Sequence, residues 1–135
     1  MDGGEGLAGW PVEYIPGVDS LFLRIHHLNV KNGKPIPRAY DEHDGGMSTN
    51  WSRYADAELT RQQARLVLHP ITRQPKDPVN YGVLEFNVGK VREIESVEVT
   101  HTPRQDNRAH TDVTGTNSPE ARVKLGRIGN WAIPI

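Results

Sequence analysis

Hydrophobic and polar positions alternate most regularly over Leu21–Leu28. Successive side chains of a β-strand point to opposite faces, so this alternation predicts a strand. One face would carry Leu21, Leu23, Ile25 and His27, and the other Phe22, Arg24, His26 and Leu28. Because apolar residues occur on both faces, we expect the strand to be central in its sheet and covered on both sides.

Three other segments have strand-like patterns. Tyr81–Val88 predicts a second buried strand, and Ile94–His101 predicts a third whose Val97 and Val99 face the core. Trp10–Ile15 is bracketed by prolines. Since proline cannot donate to a central ladder, this segment predicts an edge strand or an extended arm.

Two helices are predicted. Asp56–Val67 is rich in good helix formers, and Asp56 near its start suits the helix dipole. Ser118 followed by proline predicts the N-cap of the second helix, with Gly126 or Gly129 at its end. The buried face of that helix would carry Val123, Leu125 and Ile128. Strands and helices are interspersed irregularly, which predicts an α+β fold: a small mixed or antiparallel sheet with about two helices.

The length of 135 residues fits one domain. We expect residues 1–9 to form a flexible N-terminal tail and residues 10–135 to form a single domain. Hydrophobic residues make up 36% of the chain and the formal net charge is -1. These values argue against a disordered protein and against a broadly basic nucleic-acid binder.

The chain has no cysteine, which excludes disulfide bonds, thiolate zinc sites and thiol nucleophiles. No apolar run approaches the roughly 18 residues that a membrane span needs. The N-terminus also lacks the basic and apolar parts of a signal peptide. We therefore expect a cytoplasmic protein without membrane contact, and we expect neither a metal ion nor a cofactor.

Polar chemistry is concentrated between His101 and His110, where a predicted strand runs into a turn. Imidazole titrates near neutral pH, so two histidines that meet across this turn could exchange protons or bind a ligand. A metal site would need Asp106 or Asp112 as a third ligand. In the alternative interpretation, Asp106 and Asn107 simply form the turn. We expect Asn107 and His110 to be exposed, and so to matter more for function than for stability.

Two further groups of side chains could bind a ligand. Arg24 and Arg38 each offer a planar fork of donors suited to phosphate or carboxylate, although a structural ion pair would explain either one. In the stretch before the first predicted helix, Trp51 could stack on a base or sugar while Ser48 or Asn50 hydrogen-bonds to it. In the alternative, Trp51 packs against the start of that helix.

Four segments together resemble the layout of a family of small uncharacterised bacterial proteins. They are Leu21–Ile25, Met47–Trp51, Gly82–Phe86 with Val91–Arg92, and His101–His110. The family pattern has an LFRRI strand, an LSV segment and a closing DNPAH turn, and this chain departs from it at Leu23, Asn50 and Arg108. The resemblance implies a bacterial cytosolic single domain, but no activity. It directs attention to Arg24, Ser48, Asn107 and His110.

A second resemblance is to the ADP-ribosyltransferase folds. In those folds an arginine on an early strand and a serine on a later strand hold the nicotinamide dinucleotide. Arg24 followed by Ser48 is similar to that order. The resemblance implies a transferase that acts on a nucleotide.

Three functions fit these features. The first is an accessory or binding module of a bacterial multi-protein system, linked to a mobile element or to defence, with a larger protein as its partner. The second is a small enzyme that acts on a nucleotide or another phosphorylated ligand through Arg24, Ser48, His101 and His110. The third and least favoured is a single-stranded nucleic-acid binder. Its contacts would be Trp51, Arg53, Tyr54, Arg61 and Arg65.

Overall fold

The computed structural model describes residues 9–135 and contains an antiparallel sheet of six strands beside a two-stranded hairpin. The predicted α+β class is confirmed. The strands are β1 (Ser20–His26), β2 (Val30–Lys31), β3 (Lys34–Pro35), β4 (Met47–Trp51), β5 (Tyr81–Asn87), β6 (Glu98–His101), β7 (His110–Thr114) and β8 (Asn130–Ile133). The helices are α1 (Ala57–Gln62), α2 (Val88–Arg92) and α3 (Pro119–Ile128), joined by short 3-10 turns. The predicted tail lies outside the described residues, except for Gly9.

The six-stranded sheet has the order β6-β7-β4-β1-β5-β8, which places β1 in the interior. The whole of β1 pairs with β5, from Ser20 opposite Asn87 to His26 opposite Tyr81. On its other side β1 pairs with β4, where Leu21 faces Trp51. The expectation of a central strand is confirmed, because β1 is hydrogen-bonded on both edges.

One face of the sheet carries the hydrophobic core. Leu21, Leu23 and Ile25 point to this face, and α2 and α3 pack over it through Val88, Val91 and Leu125, all of which are buried. Ser118 caps α3 by accepting a hydrogen bond from the Ala121 backbone N–H at 3.1 Å. The predicted N-cap is confirmed.

The opposite face of the sheet is covered by α1. This helix begins after Asp56, whose carboxylate accepts a hydrogen bond from the Leu59 backbone N–H at 2.7 Å. It contacts β1, β5 and β8 and buries Thr60 at the sheet surface. The candidate site lies on this face, where β1, β4 and β7 meet α1.

Several sequence predictions of local structure were wrong. Residues Met47–Trp51 form a strand rather than the approach to a helix, and β7, β8 and α2 were not predicted. The predicted strand Ile94–His101 is ordered as a strand only from Glu98, because Ile94–Val97 forms a turn. On α3 it is Ala121, not Val123, that joins Leu125 in the core; Val123 is 55% exposed.

The first predicted helix begins where the sequence indicated but changes character before its end. The α-helical part stops at Gln62, and Gln63–Leu66 continues as a 3-10 turn. The segment after it forms a loop that ends in the 3-10 turn Pro78–Asn80 before β5.

Candidate functional site

A small cleft opens on the α1 side of the sheet, and we call it the Arg24 cleft. It is lined by Phe22, Arg24, Ser48, Thr49, Asn50, Thr60, Asn107 and His110. The pairing of Phe22 with Asn50, and of Asn50 with His110, sets the strands in register. Side chains two residues apart on a strand share a face, so this register brings Arg24, Ser48 and His110 to one surface.

Arg24 is held in the cleft without a carboxylate partner. Its Nη1 donates a hydrogen bond to the backbone oxygen of Thr60 at 3.1 Å. Among residues 9–135, no acidic side chain lies within ion-pair distance of its guanidinium. Burial lowers the pKa of Arg24 from its ordinary value, against a smaller opposing effect of Tyr81. A half-buried cation without a counter-ion favours binding of an anion.

His110 bridges β7 to Ser48 on β4. Its Nδ1 lies 3.0 Å from the Thr102 carbonyl oxygen and 2.9 Å from the Thr102 hydroxyl. A carbonyl oxygen can only accept, so at this distance Nδ1 carries the hydrogen. In neutral imidazole the other nitrogen is then an acceptor. Nε2 lies 3.2 Å from Ser48 Oγ, and the serine hydroxyl donates to it.

The surroundings of His110 keep its imidazole neutral. Burial lowers its pKa most, and the positive charge of Arg104 lowers it further. Asp112 and the Thr102 backbone act in the opposite direction, and Arg24 again lowers it. The net pKa lies below the ordinary value of 6.5, so His110 is neutral at physiological pH and can accept a proton.

Asp112 lies beside the same imidazole. Its Oδ1 is 3.9 Å from His110 Nε2, and this buried oxygen has no hydrogen-bond donor among the described residues. A buried carboxylate oxygen without a donor is costly. Protonation of His110 would therefore place a positive charge beside the Asp112 carboxylate and stabilise it.

Asn50 and Asn107 form the wall of the cleft rather than free binding groups. Asn107 Nδ2 donates to Asn50 Oδ1 at 2.7 Å. Asn50 Nδ2 donates to Thr60 Oγ1 at 3.0 Å and to Gln63 Oε1 at 2.7 Å. Asn107 Oδ1 accepts from the Ala109 backbone N–H at 3.2 Å. Both amides are thus bonded at each end, and they fix the shape of the cleft.

His101 does not belong to this site. It pairs with Thr111, the neighbour of His110, and adjacent residues of a strand point to opposite faces. Its Nδ1 accepts from the Glu13 backbone N–H at 3.0 Å, and its Nε2 donates to the Arg108 carbonyl at 2.7 Å. Both nitrogens are satisfied and the side chain is buried. The expectation that the His101 and His110 imidazoles meet is wrong.

Three other predicted ligand contacts also lie elsewhere. Trp51 is completely buried in the core and its Nε1 donates to Asp19 Oδ2 at 2.8 Å, so it packs within the protein and cannot stack on a ligand. Arg38 is exposed on the 3-10 turn Pro37–Tyr40 and donates to Asn29 Oδ1 at 2.9 Å. Asp106 is exposed in the turn bridged by Arg104 and Asn107.

The aromatic side chains proposed for nucleic-acid stacking are already covered. The guanidinium of Arg108 lies 4.2 Å from the centroid of the Tyr54 ring, and that of Arg53 lies 5.3 Å from it. Arg61 binds the Tyr81 backbone oxygen at 3.2 Å and Glu58, while Arg65 is exposed. Because Trp51 is also buried, neither aromatic ring is free to stack on a base, as a single-stranded nucleic-acid binder would require.

A larger groove of about 430 Å³ lies on the core side, between the Pro37–Tyr40 turn and α3. It was not anticipated from the sequence. Among the described residues that line it, the one cationic side chain is Arg122, which is bonded to Asp41 and to the Thr116 backbone oxygen. This part of the chain therefore offers the groove no free charged group that would orient a polar ligand.

Within residues 9–135, no three histidine or acidic side chains cluster in a way that could hold a metal ion. No helix in this part of the chain is long and apolar enough to cross a membrane.

The chain matches no protein-family model, no curated protein and no solved structure. A proposal for the function of the site therefore rests on its geometry. The cleft is lined by five residues whose side-chain chemistry predicted a ligand contact: Arg24, Ser48, Asn50, Asn107 and His110. The residues that position them, Thr60, Gln63 and Thr102, were not predicted from the sequence. Nothing in the local pattern marks these three, because each meets its partner through the tertiary fold.

Proposed function

We propose that this protein binds a ligand through an oxyanion, such as a terminal phosphate, in the Arg24 cleft. The observation that carries the proposal is the Arg24 guanidinium, which makes one hydrogen bond and has no acidic partner in residues 9–135. Guanidinium binds phosphate and carboxylate through paired donors. The hydroxyl of Ser48 and the imidazole of His110 stand beside it as further polar contacts.

The size of the cleft limits what enters it. Its volume is about 40 Å³, the space of a few water molecules. Sites that enclose a whole small ligand measure roughly 300–1,000 Å³. A terminal group of a few atoms would therefore occupy the cleft, while the rest of a nucleotide or other phosphorylated ligand would lie outside it. Of the four residues predicted for an enzyme site, only Arg24, Ser48 and His110 could contact this group, because His101 does not line the cleft.

The stability of an Arg24 variant distinguishes a binding role from a structural one. An arginine that holds the fold together through an ion pair costs several kcal/mol when it is removed. A half-buried cation without a counter-ion is itself unfavourable, so Arg24→Met should change the free energy of unfolding by less than about 1 kcal/mol. The same substitution removes the charged donors, and with them about 1.5–3 kcal/mol of anion binding for each charged hydrogen bond.

The experiment is a nuclear magnetic resonance titration with inorganic phosphate and with phenyl phosphate, against chloride at equal ionic strength. Binding should shift the backbone amide signals of Ser48 and His110, and Arg24→Met should weaken it by at least about tenfold. Arg38→Met is the matched control, because Arg38 is exposed and outside the cleft. If phosphate shifts no cleft signal beyond those that chloride shifts, the proposal is wrong.

We propose, as a second candidate, that the protein is an accessory module with a larger protein partner. Support comes from a group of exposed apolar side chains in the segment that follows α1. They are Leu66, Val67, Leu68, Ile71 and Val79. A concentration of exposed apolar residues in one segment favours a protein interaction site there. A host protein that co-purifies with the native chain should be lost with Ile71→Lys and retained with Val18→Lys, an equally exposed position elsewhere; equal retention by both would end this candidate.

A further inference from the structure

We propose that Ser48 is a nucleophile, that His110 is its general base, and that together they cleave a phosphate monoester held by Arg24. This inference deepens the proposed function and rests on it, since Arg24 must first bring the phosphoryl group to the cleft.

The geometry supplies the three parts of an activated nucleophile. Ser48 Oγ lies 3.2 Å from His110 Nε2, and the Nδ1 of the same ring is held at 3.0 Å from the Thr102 carbonyl oxygen. The carbonyl fixes the tautomer in which Nε2 accepts the serine proton. Ser48 is exposed, so a ligand can approach its oxygen from solvent. The two residues sit on adjacent paired strands, and strands position side chains more rigidly than loops do.

Asp112 gives the protonated base a partner. As His110 accepts the serine proton it becomes a cation, and the buried Asp112 Oδ1 lies 3.9 Å from the same nitrogen. Gly46 packs closely against Asp112, because a Cβ added at Gly46 would stand 2.9 Å from Asp112 Cβ. The negative charge of Asp112 stabilises the imidazolium that forms once the proton has moved.

The reaction balances without any further cofactor. In the first step Ser48 Oγ forms a bond to phosphorus and the ester P–O bond breaks. The serine proton passes to His110 Nε2 and then to the departing oxygen, which leaves as an alcohol. In the second step water attacks phosphorus and gives its proton to His110, the Oγ–P bond breaks, and His110 returns the proton to Ser48. Inorganic phosphate is released, and Arg24 faces the charged phosphoryl oxygens throughout.

A small fluorophosphonate ester tests the nucleophile directly, without knowledge of the natural ligand. Attack by Ser48 forms the Oγ–P bond, breaks the P–F bond and releases hydrogen fluoride, which leaves a stable adduct. We expect one adduct per chain by intact mass, located at Ser48 by peptide mapping. Ser48→Ala should abolish it, and His110→Gln should slow it by about 100-fold or more, the usual contribution of a general base. His43→Gln, an exposed control outside the cleft, should label at the native rate.

The native protein provides a second measurement that does not depend on the folding of a variant. The labelling rate should be constant above pH 7. It should fall when the pH is lowered below the ordinary histidine pKa of 6.5, as His110 gains its proton beside Arg104, Asp112 and Arg24. Absence of an adduct, an adduct at another serine, or a rate that His110→Gln leaves unchanged would overturn the nucleophile. If phosphate still shifts the cleft signals in that case, the protein binds an oxyanion in the cleft but Ser48 is not a nucleophile. If Ser48 is labelled but the protein binds no phosphate, a phosphate ester is not its substrate.

Discussion

Asn107 Nδ2 donates a hydrogen bond to Asn50 Oδ1 at 2.7 Å, and this contact joins the turn before β7 to β4. Asn50 extends the link by donating to Thr60 on α1 and to Gln63 just after it. Asn107 is half-buried and His110 is buried. The expectation that both are exposed polar residues is therefore wrong, and we expect substitution of either residue to lower stability.

The amide network should show energetic coupling. Asn50→Ala and Asn107→Ala should each lower the free energy of unfolding by about 1–3 kcal/mol, because each leaves a polar partner unsatisfied. The double variant should lose less than the sum, since the second substitution removes a group already left without its partner. Urea unfolding of the four proteins measures this. Asn130→Ala, at an exposed position, is the control; strict additivity of the two losses would contradict the network.

The Ser118 cap should contribute measurably to stability. Ser118→Ala removes the acceptor of the Ala121 N–H and should destabilise the protein by about 1 kcal/mol. Ser118→Asp supplies another side-chain acceptor and should restore most of the loss. Thermal and urea unfolding of the three proteins test the cap. The cap would have no energetic role if Ser118→Ala unfolded at the native midpoint.

Two glycines should respond to alanine in opposite directions. A Cβ at Gly82 would lie 2.7 Å from the Ile133 backbone oxygen and 2.9 Å from the Trp131 ring, so Gly82→Ala should force β5 and β8 apart. At Gly126 the nearest atom would be 3.9 Å away, and alanine is the better helix former by about 1 kcal/mol. Gly126→Ala should therefore raise the melting temperature and Gly82→Ala should lower it. Equal shifts of the same sign would contradict the packing described for β8.

The sequence identified β1, β5 and α3 because each carries its own signal, either alternation of hydropathy or a cap. Strand β4 has no such signal, since Ser48, Thr49 and Asn50 are three consecutive polar residues. Its polar groups are satisfied only by the tertiary fold: Thr49 Oγ1, for example, donates to the Thr111 backbone oxygen at 2.9 Å. Side-chain satisfaction by distant partners cannot be read from local hydropathy.

The same reason explains which site residues were predictable. Residue chemistry was enough to select Arg24, Ser48 and His110 as polar groups that could bind a ligand. It could not separate them from His101 or Trp51, because these two are taken up by partners that lie far away in the sequence, the Glu13 backbone N–H and the Asp19 carboxylate. The strand register decides which face each side chain occupies. His110 and Thr111 point to opposite faces, so Asn50, which pairs with His110, lies on the cleft face and His101, which pairs with Thr111, lies on the other.

Protonation of His110 should make the protein less stable in mild acid. Its pKa in the folded protein is lowered, chiefly by burial, while in the unfolded chain it takes the ordinary value of 6.5. Between these two values the unfolded chain binds more protons, so the free energy of unfolding falls as the pH decreases from about 6.5 toward the folded pKa. His26, whose pKa is lowered by burial and by His27 and Lys76, contributes with the same sign.

The measurement is urea unfolding at intervals from pH 7.5 to pH 5.5, a range in which carboxylates at their ordinary pKa of about 4 remain ionised. The native protein should lose stability across this range, and His110→Gln should give a flatter profile because it removes one titrating group. Asn130→Ala, an exposed substitution that removes no titrating group, should keep the native slope. An identical slope in native protein and His110→Gln would mean that His110 titrates alike in the folded and unfolded chains, and the neutral imidazole on which the Ser48 chemistry depends would lose its support.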